Sequence, residues 1–294
     1  MILITGGNGF IGSHLVPLIK KKYKGEKIFL LTESKHNLVT KKGLSKIPKN
    51  PRLVIHLAGT TDTSKTDQRC NDIGTKNLLE HLTIGPNTHF VFTSSLAIFS
   101  GRKNCNKPID AKTISAASDR YGITKIKAEK ILKEAARVKG FKLTILRLPT
   151  VWGDNPRKNS FLNFLKGLVK TNSIFSRLNW PGKTGLIYVD DLAKLVVKIS
   201  QKPPKNPQII PIAAQNLTLS NIFKILTESQ GKEYKQINVP SFIWNIAITL
   251  SPYLKYFESI LPAPVYNYLW RASIVVSSPL WCKVNVKGSK FTAK

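Results

Sequence analysis

The stretch Ile2-Leu3-Ile4-Thr5-Gly6-Gly7-Asn8-Gly9-Phe10-Ile11-Gly12 decides the fold. Its first four residues form a short buried strand, and the apolar spacing from Phe10 to Lys22 forms a helix, with a glycine-rich turn between them. Glycine at these points lets the backbone turn tightly, lets an anion reach the amides, and lets the helix pack closely on the strand. The helix start presents unpaired N–H groups to that anion, so the turn suits the pyrophosphate of a dinucleotide. Gly6, Asn8, Gly9, Phe10, Ile11 and Gly12 are the expected contacts. Pro17 removes a backbone donor inside this helix and should bend or weaken it.

Working outward, further strands are expected at Lys27 to Thr32, Leu53 to Leu57, His89 to Thr93 and Lys142 to Leu148. Helices are expected at Asn71 to Leu82 and Asp119 to Lys139. Strand and helix alternating in this way indicate an α/β fold, a Rossmann-type doubly wound parallel sheet covered on both faces. After Pro149 the rhythm loosens into Gly, Pro and Asn turns. A helix then spans Phe161 to Lys170, and a strand Leu186 to Val189. Asp190 is placed to cap a helix to Ser200, Gln208 to Ile212 is another strand, and Thr218 or Ser220 opens a helix to Gln230. The expected division is a dinucleotide-binding domain over 1–150, with 186–212 returning to it, and a smaller substrate-binding lobe from 151–185 and 213–294.

Tyr121 and Lys125 stand four residues apart on the second long helix, hence on one face. A phenol ordinarily loses its proton near pH 10, and a close ammonium stabilises the phenolate, which makes Tyr121 a usable acid and base for a carbinol. The fourth strand runs on into Thr93-Ser94-Ser95, whose hydroxyls would emerge at the C-terminal edge of the sheet, where doubly wound folds bind ligands. Ser95 could hold the substrate oxygen while Tyr121 moves its proton. At the end of the second strand, Thr32 and Glu33 stand where an acidic residue takes the adenosine ribose hydroxyls. Glu33 would repel a further phosphate and favours NAD. Lys35, Lys41 and Lys42 could pair with one, so NADP stays open.

The 294 residues suffice for one large core with an attached lobe, and 42% hydrophobic content sets wholesale disorder aside. Cys70, Cys105 and Cys282 are odd in number, far apart and never in a C-x-x-C pair, which argues against a disulfide framework or a zinc site. No secretion signal is visible, and a cytoplasmic location is expected. The five histidines lack metal-ligand spacing, so they read as structural and no metal is expected. Lys and Arg number 46 against 16 Asp and Glu, a formal charge of +30, and nothing acidic follows Glu258. Lysines spread over nearly every helix and loop fit a solvated surface, and such a field also attracts polyanions. The apolar stretch Ser241 to Leu254 falls short of the roughly 20 residues of a membrane span and reads as a core or interfacial helix.

Taken in order, these motifs resemble the extended short-chain dehydrogenase/reductases, the NAD-dependent epimerases and dehydratases. The resemblance rests on Gly6 to Gly12, His56-Leu57-Ala58-Gly59, Asn71-Asp72-Ile73-Gly74-Thr75, Thr93-Ser94-Ser95 and Tyr121 to Lys125. It continues through Arg147-Leu148-Pro149-Thr150-Val151-Trp152-Gly153 and Tyr188-Val189-Asp190-Asp191-Leu192. It implies that Leu57, Ala58 and Gly59 line the dinucleotide, that Asn71 supports the site and that Lys125 also holds the nicotinamide ribose. Thr93 and Ser94 would border the cofactor, and Pro149 and Val151 would flank the nicotinamide. It further implies a small-molecule substrate such as a nucleotide sugar, and a homodimer.

Departures narrow the chemistry. Members that dehydrate sugars follow the hydroxyl residue with Asp-Glu, whereas Ser95 is followed by Leu96 and Ala97, which argues against dehydration. Many nucleotide-sugar epimerases carry an arginine for the diphosphate near the strand ending at Val189. This chain offers Lys183 and Thr184, and lysine lacks the bidentate fork. Ser100 stands where many members have glycine. The leading reading is hydride transfer between NAD(P) and a secondary alcohol or ketone. Rival readings are a catalytically silent protein binding RNA or another polyanion, and membrane-surface association around Phe242 to Trp281.

Overall fold

The computed structural model describes residues 1–32, 35–61, 67–102, 107–156, 160–250, 253, 256, 260–262 and 279–292. Two compact units emerge from the packing. The first contains Met1–Ile98, Arg120–Leu148 and Val189–Pro211; the second contains Phe99–Asp119, Pro149–Tyr188 and Ile212–Lys294.

In the first unit, β1 (Ile2–Thr5), β2 (Ile28–Leu31), β3 (Leu53–His56), β4 (His89–Ser95), β5 (Lys142–Leu148) and β8 (Gln208–Pro211) form one sheet. The strand order is β2-β1-β3-β4-β5-β8, and every pairing is parallel. β1 and β3 are buried throughout, as strands covered on both faces must be. The covering helices are α1 (Phe10–Lys22), α2 (Arg69–His81), α3 (Arg120–Lys139) and α5 (Val189–Ser200), with α1 packed on α5 and α2 on α3. Leu78, Leu79, Leu82, Ala128, Leu132 and Ala136 from α2 and α3 and their margins meet Leu3, Val54, Phe90 and Phe92 of the strands.

The α1 helix runs on through Pro17. Pro17 lies on the exposed face, as does Ser13, whose carbonyl loses its partner and can turn to water. Asp190 does not cap α5. It lies inside the first turn, and its carboxylate bonds His14 Nδ1 at 2.5 Å, tying α5 to α1. Tyr23 and Ser200 hydroxyls bond at 2.9 Å at the far end of the same pair.

The second unit is built around β7 (Lys183–Tyr188). β6 (Thr150–Trp152) and β10 (Pro279–Leu280) pair with it in parallel, and β9 (Gln215–Thr218) antiparallel. Against this sheet lie α4 (Phe161–Lys170) and α6 (Leu219–Glu228), whose apolar faces join Trp152, Trp180 and Leu186 in a second core. Ser160 caps α4 and Thr218 caps α6, each side-chain oxygen accepting the N–H three residues on. The last described helix, α7 (Ser241–Leu250), buries no residue fully, and Trp244, Ala247 and Ile248 pack against the second core.

Candidate active site

Because the sheet of the first unit is parallel, the C-terminal ends of its strands lie along one edge. The loop from Gly6 to Gly9 leaves β1 there, Thr32 follows β2, Leu57, Ala58 and Gly59 follow β3, and Thr93 to Ser95 end β4. Glu33 lies outside the described residues. Thr32 closes a turn, its carbonyl accepting the N–H of Lys35 and of His36. Of the lysines that could have met an extra phosphate, Lys41 is held by Glu80 at 2.9 Å.

The glycine turn is shaped by close backbone approach. Gly6 has φ +69°, and a Cβ on it would fall 2.8 Å from Ala58 N. A Cβ on Gly12 would fall 2.3 Å from Gly6 O, so only glycine lets α1 start hard against the loop. Asn8 and Gly9 are exposed at the helix start. No acidic residue occupies the first turn of α1 to compete with a bound anion. This cradle, which a side chain would fill, fits a dinucleotide pyrophosphate.

The third-strand turn is tied to the rest of the site by a chain of hydrogen bonds. Ala58 N–H donates to Thr5 Oγ1 at 3.1 Å, and the Thr5 hydroxyl faces His56 Nδ1 at 2.6 Å. On the other side of the ring, His56 Nε2 lies 3.0 Å from Thr75 Oγ1, which donates to Asn71 O at 2.6 Å. Thr75 spends its proton on Asn71, so His56 carries its proton on Nε2 and accepts at Nδ1. The ring is fully buried and stacks on Phe92; burial, with the charge of Lys125 adding to it, lowers its pKa to about 3 and keeps it neutral. The chain thus joins the Ala58 turn to α2, which carries Asn71.

Asn71 Nδ2 donates to Thr60 O, Gln68 Oε1 and Thr124 Oγ1. Its Oδ1 is buried with no hydrogen-bond partner and points at Gly59: a Cβ there would fall 2.6 Å from Oδ1 and 3.2 Å from Lys125 Nζ. Lys125 is itself 2% exposed. Its Nζ donates to Thr93 O at 3.0 Å and lies 4.8 Å from the Phe92 ring centroid and 6.0 Å from that of Tyr121. Ser95 is half-buried, and its Oγ accepts the Ala97 N–H at 3.1 Å. Gly59, Asn71, Thr93, Tyr121 and Lys125 are therefore brought together. Pro149 and Val151 belong to the second unit, where Pro149 packs beside Gly185.

Sequence reasoning missed a buried clamp below these groups. Arg147 Nε and Nη2 donate to Glu129 Oε1 and Oε2 at 3.1 and 2.9 Å, and Ser94 Oγ donates to Oε1 at 2.7 Å. Burial alone would raise the Glu129 carboxyl, but the hydrogen bonds and charge of Arg147, with Ser94 and Lys133, outweigh it and hold the pKa below the ordinary range. Glu129 follows Lys125 by four residues and Tyr121 by eight, so all three share one face of α3. Ser94 and Arg147 are paired in the β4–β5 register. The clamp fixes how α3 presents Tyr121 and Lys125 to the end of β4.

In the second unit, Ser100 Oγ donates to Asp119 Oδ2 at 2.7 Å and accepts the Ser118 N–H at 2.9 Å, fastening the chain just ahead of α3. Lys183 Nζ lies 4.3 Å from the Trp281 ring centroid. Among the described residues no group of His, Cys, Asp and Glu is arranged to hold a metal ion, and no helix is long and apolar enough to cross a membrane.

A glycine cradle on the first strand, joined through one helix to a lysine, a tyrosine and a strand-end serine, is the plan of the extended short-chain dehydrogenase/reductases. The chain belongs to the NAD dependent epimerase/dehydratase family, which matches residues 2–213. NAD is accordingly its cofactor, and the cradle and the Asn71–Lys125 corner fit that group. A UDP-glucose 4-epimerase of Vibrio cholerae is 23% identical over 265 residues, 83% of this chain and 79% of that protein. Among solved structures, MoeE5 in complex with UDP-glucose and NAD superposes with a TM-score of 0.66 at 19% identity, covering 81% of this chain and 84% of that one. The UDP-glucose 4-epimerase of Thermotoga maritima with UDP-glucose gives 0.65 at 22% identity, covering 81% and 85%. At these identities the structures bear on the fold alone.

Proposed function

We propose that this protein is an NAD-dependent epimerase or oxidoreductase acting on a secondary alcohol or ketone of a nucleotide sugar, with Tyr121 as acid and base. One observation carries the reading: a buried ammonium, Lys125, anchored to the end of β4 and 6.0 Å from the centre of the Tyr121 ring. When bound, NAD supplies the acceptor and donor of hydride. Tyr121 takes the proton of the sugar hydroxyl and returns it, while the Lys125 cation stabilises negative charge on the phenolic oxygen. Lys125 would also hold the nicotinamide ribose. The Ala97 N–H fixes the Ser95 oxygen, leaving the hydroxyl proton to be directed at the reacting sugar oxygen.

Leu96, buried, and Ala97 follow Ser95 where sugar dehydration calls for acids, which supports epimerisation or reduction over loss of water. The named relatives act on UDP-glucose or hold it, which supports a nucleotide sugar as substrate, with the second unit as its binding lobe. The odd number and wide spacing of the three cysteines support a cytoplasmic enzyme, and the family resemblance a homodimer.

Tyr121→Phe tests the reading. Turnover should fall about 10²- to 10⁴-fold, the range for loss of a positioned acid-base group, with NAD affinity retained in a calorimetric titration. Activity within a few-fold of the parent would reject the role of Tyr121. Native mass spectrometry of the purified protein would name the co-purifying cofactor and sugar.

A further inference from the structure

The sequence of α7, Ser-Phe-Ile-Trp-Asn-Ile-Ala-Ile-Thr-Leu, contains no charged residue, and none occurs between Lys235 and Lys255. One side of the helix is accounted for. Trp244, Ala247 and Ile248 pack on the core of the second unit, and Trp244 lies 4.9 Å from Trp180 while donating through Nε1 to Asn179 Oδ1 at 3.1 Å. The other side carries Phe242, Ile243, Ile246 and Leu250, exposed by 62%, 42%, 54% and 58%. Tyr253 and Tyr256 follow it and are also exposed. A helix between a core and water ordinarily puts charged residues such as Lys or Glu on its outer side, and α7 has none there. Ser241, Asn245 and Thr249 are exposed as well, so the outer side is uncharged and mixed, with Phe242, Ile243, Ile246 and Leu250 as its apolar part.

Charge decides what covers it. An anionic bilayer has the complementary sign. Exposed Lys232 and Lys235 precede the helix, exposed Lys283, Lys287 and Lys290 stand on the tail, and no acid occurs after Glu258. The aromatic residues suit the same place, since Trp and Tyr rings settle at the headgroup level. The described helix is too short to span: ten residues extend about 15 Å, half of the hydrocarbon thickness of about 30 Å. We propose that the outer face of α7, with Tyr253 and Tyr256, lies in the interface of an anionic phospholipid bilayer and docks the second unit on it, drawn there by the positive charge of the chain.

The experiment uses the full chain with vesicles of phosphatidylcholine alone or mixed with phosphatidylglycerol, read by co-sedimentation at low and at physiological salt. The parent should bind the phosphatidylglycerol vesicles, more weakly as salt rises, and bind phosphatidylcholine far less. Phe242→Glu and Ile246→Glu should each weaken binding about tenfold or more, since each removes one large apolar group from the interface and adds a repelled charge. Ile114→Glu, at a position 86% exposed outside the helix, should bind as the parent does. NAD titration and circular dichroism report whether each variant is folded, independently of any assay of Tyr121. Equal binding by Ile246→Glu and the parent, or no binding by the parent at low salt, overturns the proposal. So does self-association in sedimentation velocity that Ile246→Glu abolishes while vesicles go unbound, which would make a second copy the occupant.

Discussion

The two units treat their costly groups in opposite ways. In the first, two buried ionisable groups lie deep among apolar strands with partners on either side: Glu129 with Arg147 and Ser94, and His56 between Thr5 and Thr75. In the second, Phe242, Ile243, Ile246 and Leu250 of α7 are exposed by about half. Burying charge costs solvation, and exposing Phe242 and Ile246 costs apolar hydration, so neither arrangement is favourable taken alone. Where the compensation lies differs. In the first unit it is internal, in bonds that also set the orientation of α3 beside β4. In the second, it lies in the lipid surface proposed to receive α7. The positions that serve chemistry are thus held by partners within the fold, and the face that serves location is left for something else to cover.

The largest expected effect comes from breaking the internal compensation. Glu129→Leu leaves the Arg147 guanidinium buried without its carboxylate, which should cost about 3–5 kcal/mol of stability in urea denaturation. Replacing both partners with apolar residues, as in Glu129→Leu with Arg147→Met, should restore much of that stability, because no charge is then left buried. Turnover separates a stabilising clamp from an orienting one. If the clamp orients α3, the double variant stays slow, with the loss in kcat rather than KM. Full recovery of kcat would reduce Glu129 and Arg147 to packing.

Most of this unit was legible in the sequence. The strand-turn-helix at Gly6 to Gly12 and the alternation as far as Leu148 follow from local spacing, so β1, β5 and α1 fall on the expected residues. The clamp was not seen, because its three members come from β4, α3 and β5, and a sequence shows only that Glu129 continues the face of Tyr121 and Lys125. That spacing was the available signal, together with an arginine inside the apolar run Lys142 to Leu148. His56 shows the same limit. No metal-ligand spacing marked it, yet its ring joins two cofactor-side segments through threonines 51 and 19 residues away. The second unit was harder to read because β6, β9 and β10 are two to four residues long and pair with β7 across distant chain, leaving little periodicity to detect. Asp190 misled for a related reason: a first-turn acid looks like a cap until its tertiary partner, His14, is known.

Acid should sharpen the contrast by an intermediate amount. Burial, reinforced by Lys125, lowers the pKa of His56 from 6.5 to about 3, and burial lowers that of His89 to about 4. Below pH 6.5 the unfolded chain takes up protons at both rings that the folded chain refuses. The stability they confer is therefore complete above pH 6.5 and declines as pH falls, until His89 levels off near 4 and His56 near 3. Each contributes a slope approaching about 1.4 kcal/mol per pH unit within its window. Glu129 adds a further loss only below about pH 4.5, where the unfolded chain protonates this carboxylate while the folded chain still holds it ionised. His56→Asn should lower stability at pH 7 and flatten the decline between pH 6 and 5 by about one proton, read from denaturation midpoints across pH. Ser241–Leu250 contains no group that titrates in this range, so Ile246→Ser should leave the slope unchanged.

The smallest effect tests the other half of the comparison. Ile246 is 54% exposed, so Ile246→Ser should change stability in solution by no more than about 0.5 kcal/mol. Trp244, two residues earlier, is the matched control, since Trp244→Ala gives up the Trp180 contact and the bond to Asn179 and should cost several times more. The difference between these two numbers measures how one-sided the packing of α7 is in water. A cost of 2 kcal/mol or more for Ile246→Ser, in protein shown to be free of lipid and monomeric, would mean that the chain itself covers the outer face. The second unit would then be as self-contained as the first, and the reason to look outside the molecule for a partner would disappear.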